Sequence, residues 1–416
     1  MNKVIFPSQI NGYIKAPASK SFMQRAIALS VLATGETIIE NPSRCDDALA
    51  GLNIAAGFGC KVFDNGSFIS IIPNSNIKPK KLLCGESGLA IRLFTPIVSL
   101  YNHEVELTAE GSLLKRPADF MTQTLNSLNV KIVTNNGFPP IKITGPLIPG
   151  VAELDGSLSS QFLSGLLIAL PKANGDSIIK VNNLKSIPYI EMTLKAIKSF
   201  GGVVEHDNYQ EFTIKGNQKY NAGKFYIEGD WSGAAGLLVA GAIGGKVTVE
   251  SLSASSTQAD IKILEALTDA GAMVNIEDNS ITVKKPERLN AFSFNALHCP
   301  DLFPVLTALA ANCKGTSRIS GVHRLIHKES NRGKALKEEF NKIGVTIDYK
   351  DDILLVRGGK ILGGNVSAHN DHRIAMALTL AALNAKKPIN IEGAECVNKT
   401  YPDFFADIAR LGVQVE

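Results

Sequence analysis

A chain of 416 residues that is 45% hydrophobic, 20% charged and 6% aromatic has the composition of a globular protein with two or three domains and ample core. Its 43 basic and 39 acidic residues leave a net charge of only +4, with no long basic run, which argues against a nucleic-acid partner. Six scattered cysteines form no CxxC pair, the longest apolar run (residues 233–245) is shorter than the ~18 residues of a membrane span, and no secretory signal is visible, so a reduced cytoplasmic protein is expected.

The chain opens with two strand-like segments, Asn2 to Phe6 and Gly12 to Lys15. From Lys20 onward, stretches of small and apolar residues recur, with matching points at Lys20, Gly88, Ser160, Trp231, Pro300 and Asp371. These lie 68, 72, 71, 69 and 71 residues apart. A second series starts at Asp46, Pro117, Pro188, Asp260, Asn331 and Pro402, in steps of 71, 71, 72, 71 and 71. Six duplicated repeats, each with two helices, follow from this period. A short strand is expected after each first helix: Thr37–Ile39, Val105–Leu107, Ser177–Ile179, Val247–Val249, Ser317–Ile319 and Ile389–Ile391. Each second helix then leads into a strand, a polar turn such as Asp278-Asn279 or Asp351-Asp352, and another strand.

The first helices carry few charges (Ala234 to Ile243 has none) and should be buried on every side. The second helices bear Lys and Glu on one face and should lie outside. Buried helices ringed by sheets make a two-domain inside-out α/β barrel, each domain holding three βαβαββ repeats. An ordinary doubly wound α/β protein is the simpler alternative, but a six-repeat period does not suit one open sheet. The sixth repeat stops one strand into its terminal pair, and the first 17 residues resemble the missing pieces. The expected domains are therefore 18–228 and 1–17 plus 229–416, with the active site in a cleft between them.

The conspicuous polar residues crowd the helix starts, where unpaired N–H groups and the helix dipole favour anions. The first repeat offers Lys20, Ser21 and Arg25; the second Gly85-Glu86-Ser87-Gly88, Arg92 and Arg116; the third Ser159, Ser160, Gln161, Ser186 and Tyr189. The fifth offers Asp301, Lys328, Glu329 and Arg332; the sixth Asn370-Asp371-His372-Arg373 and Lys399. Any one of these alone reads as a helix cap or a solvated charge. Eight cations on equivalent edges of a repeated fold instead suggest a strongly positive site for small phosphates and carboxylates. The carboxylates of Asp301 and Glu329 in such a setting are either neutralising partners or proton-transfer groups, and charge alone leaves both readings open.

Lys20-Ser21 with Arg25, Ser159-Ser160-Gln161-Phe162, Lys328-Glu329-Ser330-Asn331-Arg332, Asn370-Asp371-His372-Arg373-Ile374-Ala375-Met376 and Lys399-Thr400-Tyr401-Pro402-Asp403 resemble, in order and over the whole chain, the signatures of the 5-enolpyruvylshikimate-3-phosphate (EPSP) synthase family. The resemblance implies transfer of the enolpyruvyl group of phosphoenolpyruvate to the 5-hydroxyl of shikimate 3-phosphate by addition and elimination, in the shikimate pathway to chorismate and the aromatic amino acids. It implies no metal or organic cofactor, and these two anions as partners of a protein acting as a monomer, without nucleic acid or membrane. It places shikimate 3-phosphate on Lys20, Ser21, Arg25, Ser159, Ser160, Gln161, Ser186, Asp301 and Lys328. Phosphoenolpyruvate falls to Lys20, Gly88, Arg116, Gln161, Arg332, Arg373 and Lys399. Asp301 becomes the base at the 5-hydroxyl, and Glu329, with Lys20, the proton donor to C3.

The chain departs from the family pattern at several positions. Glu86-Ser87-Gly88-Leu89 stands where Asn-Ala-Gly-Thr is frequent, Asn331 where Asp is usual, and Trp231 where a small residue is common. Arg324 replaces an Asn that contacts phosphate in some members. The related UDP-N-acetylglucosamine enolpyruvyl transferases usually carry a cysteine in a mobile loop near Leu113 to Arg116, and this chain has none there. A non-catalytic anion-binding relative is the remaining alternative.

Overall fold

Six helix starts coincide with side chains that can satisfy the orphan N–H groups of a first turn. In the computed structural model, which describes residues 1–74 and 78–416, Ser19 accepts from Phe22 N at the head of α1 (Lys20–Leu32), which is followed by α2 (Asp46–Gly57). Ser87 accepts from Ala90 N before α3 (Gly88–Val98), and α4 (Thr122–Ser127) follows. Ser159 accepts from Gln161 N before α5 (Ser160–Ala169), which precedes α6 (Ile187–Ser199). Asp230 caps α7 (Trp231–Gly244) through Gly233 N, and α8 spans Ile263–Asp269. A 3-10 turn at Pro300–Leu302 opens α9 (Phe303–Ala311), and Asn331 caps α10 (Arg332–Lys342) through Lys334 N. Asp371 accepts from Arg373 N before α11 (His372–Ala382), and α12 covers Phe404–Arg410.

The odd-numbered helices are the first helices of the repeats. All eleven residues of α3 are buried, and in α7 only Ser232 and Gly233 are not. The expected second helices form too, but α4, α8 and α12 begin later than the spacing implies. Pro117 and Pro402 and the 3-10 turn Ala259–Lys262 occupy their expected starts, because proline removes a donor and tight turns consume the first residues.

Among the described residues, five repeats each close a four-stranded sheet of constant pattern and the sixth a three-stranded one. In the third, Val151–Asp155 runs parallel to Ser177–Asn182, which pairs antiparallel with Glu211–Ile214, itself bordered by Glu205–Asp207. Strands alternate buried and exposed residues, as in Val151–Asp155, so one face packs inward and the other meets solvent. The Ile10–Lys15 strand leads the chain toward α1, yet it pairs in parallel with Gly245–Glu250, beyond α7. The matching place beside Thr37–Glu40 is filled by Lys224–Tyr226. Asn2–Ile5 pairs with Ile389–Glu392, and Val4 N bonds to Glu416 O, so the two ends of the chain share a sheet region.

Contacts divide the chain into two compact units, Ala18–Ile227 and Met1–Pro17 with Glu228–Glu416. In the first, α3 packs on both α1 and α5; in the second, α7, α9 and α11 pack on one another. Each unit is thus a set of three inner helices with sheets around them, the inside-out α/β fold. No helix among the described residues is long and apolar enough to cross a membrane.

Gly165 shows how tightly α5 meets α3. A Cβ there would lie 2.7 Å from the carbonyl oxygens of both Arg92 and Leu93. Gly165→Val should cost about 1–3 kcal/mol through forced separation of these helices, read as a lower denaturant midpoint; an unchanged midpoint would show the packing to be slack.

Candidate active site

In the Ala18–Ile227 unit the helix starts gather cations around few acids. Lys20, the first residue of α1, places Nζ 2.9 Å from Oδ2 of the buried Asp47. Arg25, one turn along, is buried and donates to Thr193 Oγ1 (2.8 Å), Ser21 O (2.9 Å), Ser164 Oγ (3.3 Å) and Tyr189 O (3.0 Å). None of these acceptors is a carboxylate, and burial pulls its pKa down to about 10. Such a guanidinium is poised for an anion. Arg92, buried within α3, donates to Gln161 Oε1 at 2.8 Å and lies over the Phe120 ring. The Arg116 guanidinium packs against the backbone of Gly88, where a Cβ would come within 2.8 Å of Cζ. Ser159 caps α5, Ser160 is buried beside it, and Ser186 holds a left-handed conformation (φ 59°) at the head of α6. Glu86, one of the departures from the family pattern, accepts from both N and Oγ of Ser112 (3.0 and 2.7 Å). It thereby anchors the segment that carries Arg116.

The second unit is organised around Arg332, which is 1% exposed at the first turn of α10. Its guanidinium reaches three carboxylates from three segments: Asp301 Oδ1 at 2.7 Å, Glu329 Oε2 at 2.5 Å and Asp371 Oδ2 at 2.8 Å. Lys328 Nζ lies 3.1 Å from Asp301 Oδ1, and burial lowers the Lys328 pKa despite that neighbour. Arg373 donates to Asp301 O at 3.2 Å and to Ser232 Oγ at 2.5 Å, with Nη2 3.6 Å from Asp301 Oδ2. Lys399 is buried at the end of the turn Ala394–Lys399. His372 is buried and, through desolvation and the adjacent Arg373, held neutral with its pKa well below the usual value.

In the second unit Lys328, Arg332 and Arg373 are paired with Asp301, Glu329 and Asp371. Buried cations need such counterions, and carboxylates at the starts of α9 and α11 supply them. Both expected acids are thus ion-paired here, Glu329 to Arg332 and Asp301 to Lys328 and Arg332.

Spacing alone does not reveal Asp47, Asp371 or Glu339 as partners. Asp47 sits in the acidic first turn of α2, a signal within reach of the sequence. Glu339 carries none: it is buried, and it accepts from Ser367 N (2.9 Å), Lys342 Nζ (2.8 Å) and pairs with His369 Nε2 (2.6 Å). These bonds hold its carboxyl below the usual range against the opposing effect of burial. They brace the left-handed pair His369 and Asn370 immediately before Asp371.

Inner helices ringed by sheets, with phosphate- and carboxylate-seeking residues at their starts and acids among them, are the features of an α/β enzyme that handles small polyanions. Residues 5–408 match the family described as EPSP synthase (3-phosphoshikimate 1-carboxyvinyltransferase), and the chain belongs to that family. The 3-phosphoshikimate 1-carboxyvinyltransferases of Clostridium kluyveri and Clostridium acetobutylicum are each 38% identical to it. In both cases the alignment covers 99% of this chain and 97% of the relative. The EPSP synthase of Acinetobacter baumannii superposes with a TM-score of 0.84 at 25% identity, over 100% of this chain and 99% of that one. The enolpyruvyl transferase NikO of Streptomyces tendae, at 16% identity, shares the fold, with a TM-score of 0.80 over 100% and 98% of the two chains.

Asp260 offers a pH test of this electrostatic arrangement. Burial, opposed by Arg373 but aided by Asp301 and Asp230, raises its pKa from 3.8 to about 7. Between those values the unfolded chain releases a proton that the folded chain keeps, so stability declines as pH rises. Asp260→Asn removes this loss. Its melting temperature relative to the parent should rise across that interval, and a pH-independent difference would show an ordinary carboxylate.

Proposed function

We infer that the chain performs the reaction of its family, moving the enolpyruvyl group of phosphoenolpyruvate to the 5-hydroxyl of shikimate 3-phosphate with release of phosphate. The product, EPSP, lies on the shikimate pathway to chorismate. We assign shikimate 3-phosphate to Lys20, Ser21, Arg25, Ser159, Ser160, Gln161 and Ser186, with Asp301 and Lys328. Phosphoenolpyruvate is assigned to Lys20, Gly88, Arg116, Gln161, Arg332, Arg373 and Lys399. Supporting this division is the buried Arg25 with its neutral acceptors, a ready site for an anionic group of the sugar-like substrate.

The observation that carries the mechanism is the convergence of Asp301 and Glu329 on one guanidinium, that of Arg332. Asp301 takes the proton of the 5-hydroxyl as that oxygen attacks C2 of phosphoenolpyruvate. Glu329 delivers a proton to C3, and Lys20 assists, which gives the tetrahedral adduct. Glu329 then takes a proton back from the C3 methyl, the C2–O bond to phosphate breaks, the proton held by Asp301 passes to the departing phosphate, and the vinyl ether forms with both acids restored. A carboxylate paired to arginine is a poor proton donor. The carboxylate of phosphoenolpyruvate, on reaching Arg332, competes for that guanidinium; with its ion pair weakened and a second anion beside it, Glu329 takes up a proton from solvent, which it then delivers. The remaining cations stabilise the departing phosphate.

We propose that the chain acts as a monomer. The free cysteines, five of them buried, support a reducing cytoplasmic setting.

Phosphate release from phosphoenolpyruvate should depend on shikimate 3-phosphate and not appear with UDP-N-acetylglucosamine; the opposite preference would overturn the substrate assignment. Asp301→Ala and Glu329→Gln should each lower kcat by ~10²-fold or more. Retention of near-parental turnover by either would make that carboxylate a counterion only.

A further inference from the structure

The fourth repeat contributes no substrate contact above, yet its two helix starts hold a connected set of polar groups aimed at Arg373. Ser232, in the first turn of α7, is only half-buried in a helix otherwise almost wholly buried. Its Oγ accepts a hydrogen bond from Arg373 Nη2 at 2.5 Å. Arginine only donates, so the hydroxyl hydrogen of Ser232 is free to point elsewhere, and it meets Oδ2 of Asp260 in a very short contact. Asp260 lies in the turn Ala259–Lys262 that opens the second helix of the same repeat, and it is 2% exposed. Its Oδ1 has no hydrogen-bond partner among the described residues. The charged groups around it are Arg373, Asp301 and Asp230.

We propose that Asp260 and Ser232 form a positioning relay that sets the Arg373 guanidinium for phosphoenolpyruvate. Arg373 is tethered on one side to Asp301, through the backbone carbonyl at 3.2 Å and the carboxylate at 3.6 Å. Ser232 holds it on the other. Loss of that second tether weakens the hold that opposes Asp301, and the arginine is set less well for the substrate anion. Asp260 fixes the Ser232 hydroxyl as an acceptor toward the arginine, because a hydroxyl that donates to a carboxylate presents its lone pairs on the opposite side. Burial of Asp260 fits this role: a solvated carboxylate would not hold one rotamer of a serine.

The proposal rests on the assignment of Arg373 to phosphoenolpyruvate, and Arg373→Ala tests that assignment separately. If Arg373→Ala leaves KM for phosphoenolpyruvate unchanged, the assignment falls and the relay falls with it. Where Arg373→Ala does raise that KM, Ser232→Ala should raise it about tenfold, as expected for loss of a hydrogen bond to a charged group. KM for shikimate 3-phosphate should stay within about twofold under the same loss. Ser232→Thr, which keeps the hydroxyl, should restore the parental value. Asp260→Asn combined with Ser232→Ala should be no worse than Ser232→Ala alone, since both remove one linkage. An unaltered KM for phosphoenolpyruvate in Ser232→Ala would overturn the relay. So would an equal rise in both KM values accompanied by a lower melting temperature, which would mark a purely structural serine.

Discussion

A helix buried on every side can present polar chemistry only at its ends, and this constraint shapes the whole chain. The inner helices are built from alanine, glycine and leucine because charged side chains along them would be desolvated without partners. Their N-terminal turns escape that restriction. There the first N–H groups need acceptors, which Ser19, Ser87, Ser159, Asp230 and Asp371 supply. The same turns attract anions. Capping and ligand binding thus draw on the same few residues, and duplication repeats the opportunity six times.

How the charges are balanced differs between the two units. Around Arg25 the acceptors are hydroxyls and carbonyls, which leaves positive charge for a ligand to neutralise. Around Arg332 the protein supplies its own counterions. An ion-paired cluster suits proton transfer: an incoming anion must compete for the arginine, and that competition alters the surroundings of the acids at the moment they are needed. Asp371 serves two ends at once, as the cap of α11 and as the most buried partner of Arg332. Glu339 acts further back and steadies the turn that delivers Asp371.

The fourth repeat shows duplication put to a different use. Its helix starts carry no assigned substrate contact of their own. Instead Ser232 and Asp260 back the Arg373 of the sixth repeat. A repeat without substrate contacts can still be part of the chemistry when its polar ends support a neighbour.

The sequence by itself determined the period near 70, the presence of two helices per repeat, the strands after the inner helices and the family to which the chain belongs. These are local or periodic properties: apolar patterning, capping residues and motif spelling act over a few residues and survive without knowledge of the fold. The late starts of α4, α8 and α12 were less legible, because proline and 3-10 turns shift a boundary without changing the period. Only the tertiary structure decided which strand closes which sheet, since Ile10–Lys15 and Lys224–Tyr226 pair with partners more than 180 residues away. It alone decided that Asp301, Glu329 and Asp371 meet on one guanidinium, and that Asp260 reaches Arg373 through Ser232. Pairings of that kind depend on which helix ends adjoin in space, and on how burial forces each charge to find a partner, neither of which is written in any single stretch of chain.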